Sequence, residues 1–98
     1  MRTITLDKPI KYFDEKITEL VVTNYLDNNL ALIVNDSYNE TISVNINVFL
    51  DNENDFFADT NNVSQELFDN LESQGVIKRM NYVGNSGFSK FQAYRLVK

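Results

Sequence analysis

Residues 41–48, Thr-Ile-Ser-Val-Asn-Ile-Asn-Val, alternate without a break between polar and β-branched apolar side chains. Ile42, Val44, Ile46 and Val48 fall on one side of an extended chain, and Thr41, Ser43, Asn45 and Asn47 on the other. Successive strand residues point to opposite faces, so this period of two predicts one dry face and one wet face. That is the pattern of an antiparallel sheet and not of a parallel sheet covered on both sides. A chain of 98 residues makes one domain and buries about 60–65% of its unfolded surface. Such a core can be shared by a sheet and a helix, with little room for a deep substrate cavity.

The rest of the chain fits around that strand. Residues 3–6 form a short β run that Pro9 keeps from extending. Residues 17–26 are rich in β-branched and aromatic side chains and predict a strand. Asp27-Asn28-Asn29 then turns the chain into a strand over 30–35, and Asp36-Ser37-Tyr38-Asn39 turns it again. The expected units are an N-terminal strand and lead-in over 1–16 and a three-strand meander over 17–48. Residues 49–61 show neither period and predict a long acidic loop, a length often used for binding. A helix is expected over 62–75, with Asn62 as cap and Gln65 completing a capping-box-like pair. Val63, Leu67 and Leu71, with Phe68 beside them, form its apolar stripe, and Gly75 ends it. Residues 76–83 and 88–97 predict a basic C-terminal hairpin around Gly84–Gly87, completing the segment 76–98. The expected class is α+β: one domain over 1–98, an antiparallel sheet of five to six strands, and one helix on one face.

The chain contains no cysteine and no histidine. Disulfides, thiolate nucleophiles and Cys/His zinc sites are thereby excluded, and so is the usual general base near neutral pH. No carboxylate pair stands in a catalytic frame, so no catalytic residue is assigned and a binding role is expected instead of an enzyme. Asp59 with Glu66 across the helix start is better explained by the helix dipole, which favours acids there. No run approaches the ~18–20 apolar residues of a membrane helix, and the N-terminus lacks the apolar core of a signal peptide. A cytoplasmic location without membrane attachment is the expectation.

Charge is strongly segregated. Between Lys16 and Lys78 there is no Lys or Arg, and residues 17–77 sum to −11 within a net charge of −5. The ordinary explanation is that the basic ends pair with this acidic middle on the surface. The sharper one is an acidic face aimed at a basic partner. Asp51, Glu53, Asp55 and Asp59, with Phe56 among them, are the candidate contact residues. The alternating acids of 51–55 suggest a calcium loop, but Phe56 and Asn62 occupy the positions that need Gly and a bidentate Glu. No metal or other cofactor is therefore expected. A rival surface is the C-terminal hairpin, where Lys78, Arg79, Lys90 and Arg95 interleave with Tyr82, Phe88, Phe91 and Tyr94. Basic side chains among aromatics can grip single-stranded nucleic acid, although a small core also needs those rings.

Asp59-Thr60-Asn61-Asn62 with the helix after it, Ser86-Gly87-Phe88 and Tyr94-Arg95-Leu96 form a short polar signature. Together with Asn24-Tyr25 and Ser43-Val44-Asn45, it resembles an uncharacterised domain family of small proteins encoded on bacterial phages, plasmids and conjugative elements. The likeness spans roughly residues 20–97 and departs from the family pattern at Asn39, usually Gly, and Ala93, usually Pro. The family has no activity or catalytic residues to transfer. What the resemblance implies is a setting in which small acidic proteins block the nucleic-acid groove of a host defence nuclease. The expected partner is then a basic protein, a CRISPR effector nuclease foremost, bound through surfaces that compete with phosphates. The alternative is a nucleic-acid-binding accessory protein of the mobile element.

Overall fold

The computed structural model describes residues 1–46, 48 and 50–98. Seven strands and one helix follow in the order β1 (Arg2–Tyr12), β2 (Glu15–Asn24), β3 (Leu30–Val34), β4 (Ser43–Val44), β5 (Asp55–Ala58), α1 (Gln65–Ser73), β6 (Ile77–Ser86) and β7 (Ser89–Leu96). All pairings are antiparallel, in two sheets ordered β1-β2-β3 and β4-β5-β7-β6. The expected α+β class with a single helix holds. Among the described residues the strands number seven and divide between two sheets, where one sheet of five to six was expected.

The first difference lies at the N-terminus, where β1 runs through Pro9. Its register against β2 slips between Thr5 and Ile10, and β1 is an edge strand. A proline in an edge-strand bulge breaks no ladder. Gln74, the helix C-cap, clamps this bulge by donating to the Lys8 carbonyl at 2.8 Å and accepting from the Lys8 N–H at 3.2 Å. The meander is therefore β1-β2-β3, one element earlier than expected.

The alternating run 41–48 does not supply the meander's third strand. Ser43–Val44 pairs with β5, Thr41 alone bridges Ile33 of β3, and Asn47 lies outside the described residues. The segment is a strap between the sheets: the Ile42 N–H donates to the Leu32 carbonyl, and the Ile42 carbonyl accepts from the Asp59 N–H. Ile42 belongs to the main core, whereas Ile46 joins a second cluster with Phe57, Phe91 and Ala93. Ser43, expected to be wet, is buried because its hydroxyl accepts from the Leu32 N–H and bonds the Tyr25 hydroxyl at 2.8 Å.

The expected loop 49–61 contains β5, an internal strand of the second sheet; Phe49 lies outside the described residues. All four residues of β5 are buried. A strand covered on both faces shows no alternation, which is why Asp-Phe-Phe-Ala carries no period of two. Phe56 faces the main core, and Phe57 faces the second cluster.

The helix is shorter than 62–75. Ser64, not Asn62, is its cap and accepts from the Glu66 N–H, while Asn62 turns back to donate to the Asp59 carboxylate. The stripe is as expected: Val63, Leu67, Phe68 and Leu71 are all buried. Gly75, at φ +73°, terminates the helix. Its N–H donates to the Glu72 carbonyl and that of Val76 to the Leu71 carbonyl, the paired bonds of a Schellman motif. Tyr94 of β7 stacks between Phe68 of the helix and Phe56 of β5, at centroid distances of 5.7 and 5.9 Å. Its hydroxyl accepts from Gln65 at 2.9 Å, so this fully buried ring keeps its polar end satisfied.

Candidate functional sites

The five acidic-surface candidates divide sharply. Asp55 and Phe56 are 0% and 1% exposed and cannot contact a partner. Asp55 sits on the face of β5 that it shares with Phe57, opposite Arg95 of β7. Arg95 Nε donates to Asp55 Oδ1 at 2.6 Å, its terminal nitrogen donates to Oδ2 at 3.2 Å, and the Tyr82 hydroxyl donates to Oδ2 at 2.6 Å. The hydrogen bond from Arg95 to this carboxylate holds the guanidinium pKa above its ordinary value. Asp55 is thus a structural anchor, and the same pair removes Arg95 from the candidate nucleic-acid surface.

Asp51 and Glu53 are exposed, before β5, and Asp59 is half-buried, after it. Four strand residues at ~3.3 Å each hold the two ends about 13 Å apart. Glu53 lines a shallow cavity of about 240 Å³ with Asp27, Asn29 and Leu50. Asp27 receives hydrogen bonds from the Asn45 side chain at 2.9 Å and the Asn29 N–H at 3.0 Å. These hold its carboxyl below its ordinary pKa, the Asn45 bond most strongly. Asp51, Glu53 and Asp27 thus supply acids from two loops at the β2–β3 end. The sequence singled out the first two; Asp27 was missed because only the fold brings its turn to this loop.

The basic hairpin does not present one stripe. Cross-strand partners share a face, so Lys78 lies on the side of Arg95, whereas Arg79 lies on the side of Tyr94. Lys90 and Arg95, five residues apart on β7, fall on opposite faces. Phe91 and Tyr94 are buried, Tyr82 is half-buried, and Phe88 is fully exposed in the turn after Gly87. One of the four rings is thus freely offered for base stacking. Between Arg79 and Val83 the register of β6 shifts, and Gln92 satisfies the freed carbonyls of Met80 and Tyr82 at 2.6 and 3.1 Å.

Among the described residues, no cluster of three or more acidic side chains could hold a metal ion. No described helix is long and apolar enough to cross a membrane. No protein-family model, curated protein or solved structure matches the chain.

Proposed function

We propose that this chain is an acidic protein-binding inhibitor that occupies the basic nucleic-acid groove of a bacterial defence nuclease, a CRISPR effector foremost, and that it has no catalysis of its own. The observation that carries this reading is the want of internal neutralisation. Residues 17–77 hold eleven carboxylates and no Lys or Arg. Among the described residues only Asp55 of that stretch forms an ion pair, and the other pair in the chain is Asp7 with Lys98. Pairing of the basic ends with the acidic middle therefore accounts for one carboxylate of the eleven. An acidic surface left open in this way favours fast, salt-sensitive encounter with a basic groove. The setting on a mobile element, and with it the nuclease as target, rests on the family resemblance of the polar signature.

Asp51, Glu53 and Asp59 are the proposed contact residues, with Asp27 added. The test is an affinity pull-down from bacterial lysate with and without nuclease treatment. The expected result is a basic protein retained in both conditions and lost by a chain carrying Asp27→Lys, Asp51→Lys and Glu53→Lys. Raising salt from about 0.1 to 1 M shortens the screening length from ~10 to ~3 Å and should release it too. A reversed chain that still holds its partner refutes the acidic inhibitor. Loss of all partners on nuclease treatment, together with a shift of labelled single-stranded DNA, would establish the accessory-protein alternative through Lys78, Arg79 and Lys90.

A further inference from the structure

At the opposite end from Glu53, the β1–β2 hairpin and the β3–β4 connection enclose a cleft of about 550 Å³. Its walls are aromatic and acidic. Tyr12, Phe13 and Tyr38 supply rings, Glu15, Asp36 and Glu40 supply carboxylates, and no Lys or Arg lines it. The two loops are locked together, since the N–H and hydroxyl of Ser37 both donate to Glu15 Oε1, at 2.8 and 2.6 Å. Asp36 Oδ1 accepts from the N–H groups of Tyr38 and Glu40, which fixes the second wall.

The floor carries an unfulfilled group. Tyr12 is 6% exposed, and its hydroxyl is the one buried side-chain polar atom among the described residues that completes no hydrogen bond of good geometry, with the Glu40 carboxylate as its neighbouring acceptor. Burial, and then the neighbouring Glu40, Asp36 and Asp59 carboxylates, push its pKa up to about 12. The hydroxyl therefore sits beside the carboxylates of the cleft and remains a neutral phenol at pH 7. A buried hydroxyl with unused hydrogen-bonding capacity is destabilising, and a ligand that supplies a partner relieves that loss. The rim is free to meet one: Phe13 and Tyr38 are 74% and 86% exposed. Phe13 holds φ at +54°, a left-handed conformation uncommon for a bulky residue, and its ring packs edge-on to Tyr12 at 4.7 Å.

We propose that this cleft binds a guanidinium group. A guanidinium is planar, weakly hydrated and always charged, stacks on aromatic faces, and offers five N–H donors in a fork. The cleft supplies each counterpart: rings to stack on, carboxylates to accept paired N–H bonds, and a phenol oxygen to accept one more. An ammonium matches the charge but not the plane. An arginine side chain of a protein and a free guanidinium compound share this chemistry. The proposal goes beyond the inhibitor reading and does not depend on it, because it concerns different residues and a different test.

The test is a titration of the ¹⁵N-labelled full chain with N-acetyl-arginine methylamide, followed by amide chemical shifts. Its lysine and citrulline analogues are the controls. The expected result is saturable shifts at residues 12–15 and 36–40, with an affinity on the order of 1 mM. The lysine analogue should bind at least about five-fold more weakly, and the uncharged citrulline analogue should not saturate. Tyr12→Phe keeps the ring and Tyr38→Ala alters an exposed residue, and each should weaken binding by about three-fold or more. Tighter binding of a Gly-flanked arginine peptide assigns the site to a protein side chain, and equal binding assigns it to a free compound. Equal binding of citrulline, shifts scattered outside the two loops, or affinity unchanged in both variants overturns the proposal.

Discussion

Arg95 grips Asp55 with two donors, and Tyr82 closes over the same carboxylate from the neighbouring strand. The two partners differ in their access to water: the Asp55 side chain is fully buried and that of Arg95 is 32% exposed. The asymmetry decides what each deletion does. Without Asp55, the guanidinium turns to solvent; without Arg95, a carboxylate is left in the sheet with the Tyr82 hydroxyl alone.

Asp55→Ala is expected to destabilise the chain by about 2–4 kcal/mol, below the ~3–5 of a fully buried pair because Arg95 retains water. Arg95→Met should cost more than Asp55→Asn. Urea unfolding of the variants checks the order. A loss under about 0.5 kcal/mol for Asp55→Ala would show that the pair is not formed. Charge reversal at Asp51 and Glu53 should leave stability within about 1 kcal/mol, as for other exposed loop charges.

The helix seat yields a second expectation. Leu71→Ala should cost about 2–5 kcal/mol, since the side chain is fully buried between helix and sheet. Ser64→Ala should cost about 1 kcal/mol through the lost cap, and Asn62→Ala less. Thermal unfolding of the two single variants tells the cap from its neighbour. Equal losses would return the helix start to Asn62.

Gly84 provides a third. A Cβ built there would lie 2.5 Å from Ile46 Cδ1 and 2.8 Å from two ring carbons of Phe57. Gly84→Ala should therefore destabilise by about 1–3 kcal/mol through overpacking of the second cluster. Ile46→Ala in the same chain should recover part of that loss, a coupling measurable by a double-mutant cycle. Simple addition of the two losses would mean that the sheet face relaxes without strain.

The helical period and its glycine stop were legible in the sequence, whereas the N-cap, which is Ser64 and not Asn62, and the exchanges between sheets were not. The helix stripe, the Gly75 stop and the antiparallel pairing of the last two strands rest on local rules and stand, although Gly84–Ser86, expected in the turn, belong to β6 and the turn narrows to Gly87-Phe88. The run 41–48 misled because alternation reports local exposure, whereas its residues divide between two clusters as the chain passes from one sheet to the other. The segment 55–58 was hidden for the opposite reason: it is buried on both faces, and its Asp is neutralised by a residue forty positions away. No local pattern distinguishes that aspartate from its solvated neighbours. Of the acidic-surface candidates, Asp55 and Phe56 are buried, while Asp51 and Glu53 are exposed and Asp59 is half-buried. The Tyr12 cleft, built from two turns whose joined residues Glu15 and Ser37 are 22 positions apart, carries no local signal.

Two phenols set the alkaline limit of the fold. Burial raises the pKa of Tyr12 and of Tyr82 from an ordinary 10.0 to about 12, assisted by nearby Glu40 and the Tyr82–Asp55 hydrogen bond. Between these values the unfolded chain releases protons that the folded chain still holds, so unfolding becomes easier as pH rises. The stabilisation is thus complete below about pH 10 and is lost progressively toward pH 12. Absorbance titration at the phenolate band should show the Tyr12 and Tyr82 hydroxyls ionising only as the fold opens. Tyr12→Phe removes one proton-linked step without removing the ring, so its stability should fall less steeply across that window. Tyr82→Phe should do the same, but from a lower starting stability, because it also strips a hydrogen bond from buried Asp55. Parallel curves for the wild type and both variants would show that neither hydroxyl is held in the environment described.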